Sequence, residues 1–280
     1  MVKIGRYNTL RVVRNVDFGA YLAADDGTEI LLPTRYIGEP LHPGEELEVF
    51  VYKDNEGRLI CTTDHPFAQV GEFAFLQVND VNNMGAFLDW GLMKELLVPF
   101  SEQHMKLSRG MVVPVYVYLD DASQRVVASA KIEKFIGNVF PRYRTGRRVK
   151  ALVYKHADNG YKAIVNNLFH GIFYENELYS PLVIGETVTA YVNRVRPDGK
   201  IDLLLHGGKD GRLVSLADNI IDRLRHERDH LLRMGDDSSP EEIRAVFACS
   251  KKDFKKAVGN LYRKGAITIR PGIIELNSKR

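Results

Sequence analysis

The pattern of apolar and polar positions predicts short β-strands over the first three-quarters of the chain. Between residues 47 and 52, aliphatic side chains alternate with Glu48, Phe50 and Tyr52, which is the period of two expected of a strand with one buried face. Further strands are predicted at 10–13, 20–22, 30–32, 59–62, 113–118 and 188–193. Short strands separated by polar turns are typical of small β-barrels.

A glycine-anchored motif recurs three times within this region. An offset of 66 residues carries Gly19 onto Gly85, and an offset of 75 carries Gly85 onto Gly160. Other landmarks hold the same register, namely Pro33, Pro99 and Tyr174, and Gly44, Gly110 and Gly185. Repeats of this length indicate small modules. Five strands in each module of about 65 residues suit an OB-type barrel.

The strand pattern stops at the glycine-rich stretch 207–211, and a helical period follows. Apolar residues from Leu216 to Leu232 predict a first helix over 213–234. Ser239 as N-cap, Pro240 at the first helical position and Glu242 at the third form a capping box, which predicts the start of a second helix. Ser250 caps a third helix that Gly265 closes, and a turn at 270–272 then separates two strands. A short helix is also predicted at 130–140.

The predicted fold is therefore mainly β with a small α+β C-terminal domain. It consists of three tandem OB-fold β-barrels followed by a winged helix-turn-helix. We place the barrels at 1–65, 66–137 and 138–208 and the winged helix at 212–280.

The net charge of +3 conceals an asymmetry along the chain. Residues 1–139 hold 13 Lys and Arg against 19 Asp and Glu, or −6, which leaves 26 against 17, or +9, for residues 140–280. The most basic stretch is 142–150, with four arginines, one lysine and one tyrosine. Such asymmetry indicates that an acidic partner binds mainly the C-terminal half.

Several classes of protein fit the sequence poorly. Cys61 and Cys249 lie in unrelated segments, so they predict neither a disulfide framework nor a zinc site. The chain has no apolar run of membrane-spanning length and no apolar signal core, so we expect a cytoplasmic protein. Phosphate-loop, metalloprotease, dinucleotide and nucleophile-elbow motifs are absent from the sequence. We therefore expect no enzymatic activity, cofactor, metal or small-molecule substrate.

The first module resembles the S1 RNA-binding domain in the run Asp17-Phe18-Gly19-Ala20-Tyr21-Leu22. The resemblance implies that Phe18 and Tyr21 stack bases and that Asp54 and Arg58 flank the last turn. The same positions hold Met84, Phe87, Asp121 and Arg125 in module two and Asn159, Lys162, Arg196 and Lys200 in module three. Tyr174 stands where the S1 family has a histidine, and Met84 is expected in the core.

Single strands bind small OB barrels by stacking on aromatic rings while basic residues follow the phosphates. The third module, together with the basic stretch before it, is predicted to grip phosphates most strongly. In the third helix of the winged helix, Lys251 and Lys252 occupy the first turn, where the helix dipole disfavours cations. The candidate RNA-binding residues are Phe18, Tyr21, Arg58, Phe87, Arg125, Arg142, Arg144, Arg147, Arg148, Lys150, Tyr154, Lys155, Tyr161, Lys162, Tyr174, Arg196, Lys200, Lys251, Lys252, Lys255 and Lys256.

Each assignment has a structural alternative. The aromatic rings could pack against a neighbouring module, and the 142–150 stretch could be a solvated linker. Asp54 and Arg58 could form a surface pair that stabilises a turn. The third helix of the winged helix lacks a base-reading cluster of Asn, Arg and Gln, which weakens the case for sequence-specific DNA recognition.

Three S1-like barrels followed by a winged helix resemble the conserved virulence factor B family of bacterial proteins over the whole chain. The resemblance implies a protein that binds single-stranded RNA and influences gene expression after transcription. Two other hypotheses stay open. One is a DNA-binding regulator that uses the winged helix on duplex DNA, and the other is a scaffold that docks onto the ribosome or another protein through the acidic first two modules.

Overall fold

The computed structural model describes residues 1–178, 180–205, 208–227, 229–247 and 249–277. Its first five strands form a closed barrel with the order β1-β2-β3-β5-β4. These strands are β1 Arg6–Val16, β2 Gly19–Ala23, β3 Glu29–Pro33, β4 Glu46–Lys53 and β5 Leu59–Thr62. This is the strand order of an OB fold, and every strand predicted in this module is present.

The next two modules repeat the same connectivity. The second is a five-stranded sheet with the order β10-β9-β6-β7-β8, and the third is a closed barrel with the order β11-β12-β13-β15-β14. The second contains β6 Phe73–Val81, β7 Gly85–Asp89, β8 Leu96–Pro99, β9 Val112–Leu119 and β10 Val126–Ser129. The third contains β11 Arg148–Ala157, β12 Gly160–Val165, β13 Phe169–Tyr174, β14 Thr187–Val195 and β15 Ile201–Leu204. The predicted fold class is confirmed.

The repeated glycine occupies the same ladder position in each module. Gly19 pairs with Pro33, Gly85 with Pro99, and Gly160 with Tyr174, as the sequence offsets predicted. A Cβ added to Gly19 would lie 2.1 Å from the carbonyl oxygen of Leu32, and the equivalent distances are 2.2 Å at Gly85 and 1.9 Å at Gly160. The motif therefore needs glycine because the next strand approaches the backbone too closely for any side chain.

The second repeated glycine, at 44, 110 and 185, also has a local structural cause. Strands β1, β6 and β11 each contain a register shift, directly after Val12, Val78 and Val153. The carbonyl oxygen of each of these valines accepts a hydrogen bond of 2.8 Å from the backbone N–H of a glycine, namely Gly44, Gly110 and Gly185. The repeated glycine therefore marks the same β-bulge and its hydrogen-bond partner in each of the three modules.

Replacing Gly19 with alanine is expected to destabilise the first module by about 1–3 kcal/mol, because the methyl group would force the β2–β3 ladder apart. Urea denaturation followed by far-UV circular dichroism measures the change. Gly38→Ala in the same module is the control, because a Cβ there meets no atom within 4 Å. Equal stability of the two variants would contradict the proposed role of Gly19.

The first two modules pack together into one compact unit, Met1–Phe135. Phe50 and Tyr52 of β4 are buried in the hydrophobic cluster of the second module, where Phe50 meets the Trp90 ring edge-on at a centroid distance of 5.7 Å. The prediction that this strand buries only one face was wrong. Its outward residues cover the neighbouring module rather than facing solvent.

The C-terminal region contains the predicted winged-helix elements in the expected order. They are α1 Gly208–His226, β16 Leu231–Leu232, α2 Pro240–Phe247, α3 Lys251–Arg263, β17 Ile267–Arg270 and β18 Ile273–Leu276. The predicted first helix at 213–234 was wrong at its end. The helix spans Gly208–His226, and Leu231 and Leu232 pair with β18 instead of continuing it. Gly207, part of the glycine-rich boundary, lies outside the described residues.

The predicted helix caps are confirmed. Ser239 accepts a hydrogen bond from the backbone N–H of Glu242, whose carboxylate accepts one from the N–H of Ser239, forming a capping box. Ser250 caps α3 by accepting from the N–H of Asp253. The helix predicted at 130–140 is only a single 3-10 turn, Ile132–Phe135.

Candidate nucleic-acid interface

The first module presents the aromatic pair that the S1 resemblance implies. The side chain of Phe18 is 58% exposed, and its ring meets the half-buried ring of Tyr21 edge-on. The guanidinium of Arg14 lies 4.4 Å from the centroid of Tyr21, and it also pairs with Glu29 at 2.7 Å. One face of Tyr21 is therefore covered by Arg14, while Phe18 is open to solvent.

The turn after β4 is a closed ion-pair network. Arg58 donates from Nε to Asp54 at 2.9 Å and pairs with Glu56 at 2.8 Å. Burial alone would raise the pKa of Asp54, but the hydrogen bonds it accepts from Arg58 outweigh this effect and lower the pKa. The guanidinium of Arg58 is thus already committed to two carboxylates, which is the geometry of a turn-stabilising pair.

The second module departs from the predicted site in two respects. Met84 is 57% exposed, so the prediction that it lies in the core was wrong. Asp121 and Arg125 do not pair: Arg125 donates to the carbonyl oxygen of Asn55 in the first module at 2.9 Å, and Asp120 closes the turn through Ser123. Phe87 is half-buried, which leaves part of its ring accessible.

A lysine helps to join the first two modules. Lys94 donates from Nζ to the carbonyl oxygens of Lys53 at 2.6 Å and Asp54 at 2.9 Å. Burial and the nearby charge of Arg125 lower the pKa of Lys94. Together with Arg125, this lysine stabilises the packing of the two modules, which the sequence did not indicate.

The third module carries exposed cations that no described residue neutralises. Seven Lys and Arg side chains are exposed and form no ion pair with any described residue: Arg142, Arg144, Arg147, Arg148, Lys150, Lys155 and Lys162. In the first module Arg11, Arg14 and Arg58 face carboxylates, whereas the exposed side chains of Lys3, Arg6 and Arg35 form no ion pair with a described residue.

Two of these lysines oppose each other across the β11–β12 ladder. Lys155 pairs in register with Lys162, at the position that Arg14 and Tyr21 occupy in the first module. Like charges directly opposite on adjacent strands destabilise a sheet. A bound anion would relieve this repulsion.

The prediction that the rings of Tyr154 and Tyr161 contact RNA was wrong, because both rings are buried. Their side chains are only 7% and 8% exposed, and Tyr161 belongs to the hydrophobic core of the third module. Buried rings offer no face to a base. Tyr174 is half-buried, and its hydroxyl lies at the edge of a polar cluster around Asp202.

This polar cluster contains Asp202 and Arg194, which the sequence did not predict as site residues. Asp202 is 2% exposed and accepts hydrogen bonds from Nε of Arg194 at 2.5 Å and Nε of Arg196 at 2.6 Å. Lys200 pairs instead with Asp198 at 3.0 Å, which lowers the pKa of that carboxyl group. The available signal was an acidic residue inside the apolar run of β15, together with one arginine at the end of β14 and a second directly after that strand.

The lysines of α3 are less uniform than predicted. Lys252 and Lys256 are exposed, Lys251 is half-buried, and Lys255 pairs with Asp236 at 3.3 Å. The first turn also contains Asp253, whose negative charge offsets the unfavourable interaction of the lysines with the helix dipole. The dipole argument for a ligand at this helix is therefore weaker than the sequence suggested.

The described residues offer neither a metal-binding cluster nor a membrane-spanning helix. Residues 1–178, 180–205, 208–227, 229–247 and 249–277 contain no group of three or more His, Cys, Asp or Glu side chains placed to hold a metal ion. Over the same ranges, no helix has both the length and the apolar character needed to cross a bilayer.

Comparison with known domain families agrees with this architecture. Residues 4–64 and 70–131 match the S1 domain, and residues 218–276 match the CvfB-like winged helix domain. The two S1 matches coincide with the first two modules, and they support nucleic-acid binding.

Similar proteins match along nearly the whole chain. The protein YitL of Bacillus subtilis is 29% identical over 94% of this chain and 90% of its own length. Conserved virulence factor B of Staphylococcus saprophyticus is 27% identical over 99% of this chain and 95% of its own length. A crystal structure of a multidomain protein with nucleic acid binding domains from Streptococcus pneumoniae is 22% identical over 98% of both chains, with a TM-score of 0.43.

Proposed function

Since the chain belongs to the conserved virulence factor B family, with S1 domains and a CvfB-like winged helix domain, we propose that it binds single-stranded RNA and regulates gene expression after transcription. The third module and the winged helix supply most of the contacts to phosphates. The first module supplies an exposed aromatic surface at Phe18.

One observation carries this proposal. Seven exposed cations of the third module, among them Arg147, Arg148 and Lys150, form no ion pair with any residue in the described part of the chain. In the first module, by contrast, three arginines are neutralised by carboxylates, namely Arg11, Arg14 and Arg58. An unneutralised cationic surface on an OB barrel fits the path of a phosphate backbone.

The barrel fold of the third module supports a preference for single strands. The β11–β12 face is a barrel surface with half-exposed strands, and small OB barrels bind unpaired bases whose faces are free to stack. The alternative, duplex DNA in contact with α3, has weaker support because Lys255 is already paired and Asp253 adds a negative charge to the first turn. The choice of RNA over single-stranded DNA rests on the family resemblance.

The test is a competition experiment with the full chain and a fluorescent single-stranded RNA of about 15 nucleotides, since OB folds occupy about 4–16 nucleotides. Unlabelled RNA, DNA of the same sequence and duplex DNA are the competitors. We expect RNA to compete best and duplex DNA worst. Stronger competition by duplex DNA would contradict the proposal and favour the winged-helix regulator. Absence of binding to all three would favour the protein-docking scaffold.

A further inference from the structure

A buried carboxylate lies on the outer side of the third barrel. Asp202 stands on β15 between Ile201 and Leu203, both of which belong to the core, so its side chain alternates to the opposite face. In the first barrel the corresponding cross-strand pair is Tyr52 and Ile60, where the third barrel pairs Arg194 with Asp202. Where the first barrel has an apolar pair that packs against a neighbouring module, the third barrel has a buried carboxylate and an exposed arginine.

Arg194 and Arg196 each donate a hydrogen bond from Nε to the carboxylate of Asp202. Nε of Arg194 donates to Oδ2 of Asp202 and Nε of Arg196 donates to Oδ1, so each carboxylate oxygen holds one guanidinium. Arg196 also donates from Nη2 to the hydroxyl of Tyr174, which holds it against the barrel. The Arg196 side chain is 24% exposed, whereas that of Arg194 is 69% exposed.

The outer end of the Arg194 guanidinium has no partner among the residues that the structure describes. Among the residues that the structure describes, no acceptor lies within hydrogen-bond distance of its Nη1 or Nη2. Residues 194–198 line an open cleft at this point. Because Nε is taken by Asp202, only the end of the guanidinium that carries both Nη atoms can meet a ligand.

We propose that Asp202 is a positioning residue that holds Arg194 with both Nη atoms directed outward, where they bind the two non-bridging oxygens of one phosphate in the RNA strand. The inference rests on the proposed function and assigns one phosphate-binding residue within it. Two parallel N–H donors match two phosphate oxygens, which the single ammonium of lysine cannot do. Fixing the side chain in advance also removes part of the entropy cost of binding.

Because Asp202 is negatively charged, its replacement distinguishes an effect of positioning Arg194 from an effect of net charge. Asp202→Asn removes a negative charge beside a polyanion, so charge alone predicts tighter RNA binding. Positioning predicts weaker binding, by about tenfold, because Arg194 loses the acceptor that orients it. Asp198→Asn is the matched control: it removes the same charge four residues away, where the carboxylate contacts Lys200 and not Arg194.

A second variant keeps the test independent of folding. Arg194→Lys retains the positive charge at an exposed position but loses the paired donors, so we expect the fold to be unchanged and RNA affinity to fall by about fivefold to tenfold. The inference is supported if Asp202→Asn and Arg194→Lys both weaken binding and Asp198→Asn does not. It is overturned if Arg194→Lys binds like the wild type, or if Asp202→Asn binds as tightly as Asp198→Asn.

Binding of inorganic phosphate to the full chain tests the Arg194 site separately from RNA binding. Arginine Nε–Hε signals in proton–nitrogen NMR spectra of the full chain report on Arg194 directly. If the wild type binds no RNA, the proposed function fails. Phosphate that shifts the Arg194 signal in the wild type but not in Asp202→Asn would still support the site, and an unmoved signal in the wild type would overturn it.

Discussion

Replacing Trp90 with alanine is expected to lower the free energy of unfolding of the unit formed by the first two barrels by about 3–5 kcal/mol. Trp90 is 2% exposed, meets the ring of Phe50 edge-on and donates from Nε1 to the carbonyl oxygen of Lys94. The truncation leaves a cavity at the junction of the two barrels. The expected effect is large because the ring is buried in the cluster that Phe50 and Tyr52 of the first barrel also join.

Urea denaturation followed by far-UV circular dichroism measures this loss. Tryptophan fluorescence cannot follow the variant because Trp90 is the single tryptophan of the chain. Phe67→Ala is the control, since this side chain is 65% exposed and its removal should change stability by about 0.5 kcal/mol or less. A Trp90→Ala variant as stable as the Phe67→Ala variant would show that the two barrels do not depend on this contact.

The largest expected effect on binding comes from the basic stretch that enters β11. We expect Arg147→Glu/Arg148→Glu/Lys150→Glu to weaken binding of single-stranded RNA by roughly 100-fold at about 0.1 M salt, because about three phosphates lose their cations. Fluorescence anisotropy with the full chain measures the affinity. All three side chains are exposed, so the fold should tolerate the change.

A matched control has the same change in net charge elsewhere on the chain. Lys3→Glu/Lys106→Glu/Arg109→Glu reverses three exposed cations of the first two barrels. We expect this variant to lose far less affinity than the triple variant at 147–150. Equal losses would mean that the net charge of the protein, rather than a local phosphate path, determines binding.

Local signals in the sequence predicted the fold well. The glycine at 19, 85 and 160 is required by a close approach of the neighbouring strand, and the capping box at Ser239 satisfies donors within one helical turn. Such features depend on residues near each other in the chain or in one ladder. They leave a periodic trace that a single sequence is enough to reveal.

Contacts between distant segments were predicted poorly. Phe50 and Tyr52 alternate with aliphatic residues as a half-exposed strand would, yet the second barrel covers them. Tyr154 lies between Lys150 and Lys155 in the sequence but is buried. Burial of an outward-facing side chain depends on what packs against it, and the period of two carries no information about that neighbour.

The candidate site was predicted in its charge but not in its arrangement. The basic character of 142–150 can be read from composition, whereas the hold of Asp202 on Arg194 depends on strands that meet in a barrel. Arg58 and Lys255 show the converse case. Both were predicted to contact RNA and both face carboxylates in the structure, which for Arg58 is the turn-stabilising alternative that the sequence had left open.

The salt dependence of RNA binding is the most direct test of the claim that a single strand follows the third barrel. The logarithm of the affinity is measured against the logarithm of the salt concentration for the wild type and for Arg147→Glu/Arg148→Glu/Lys150→Glu. Each phosphate contact contributes about 0.7 to the slope for single strands, so the wild-type slope should be steeper by about 2. Parallel lines for the two proteins would place the phosphate path elsewhere and contradict the account.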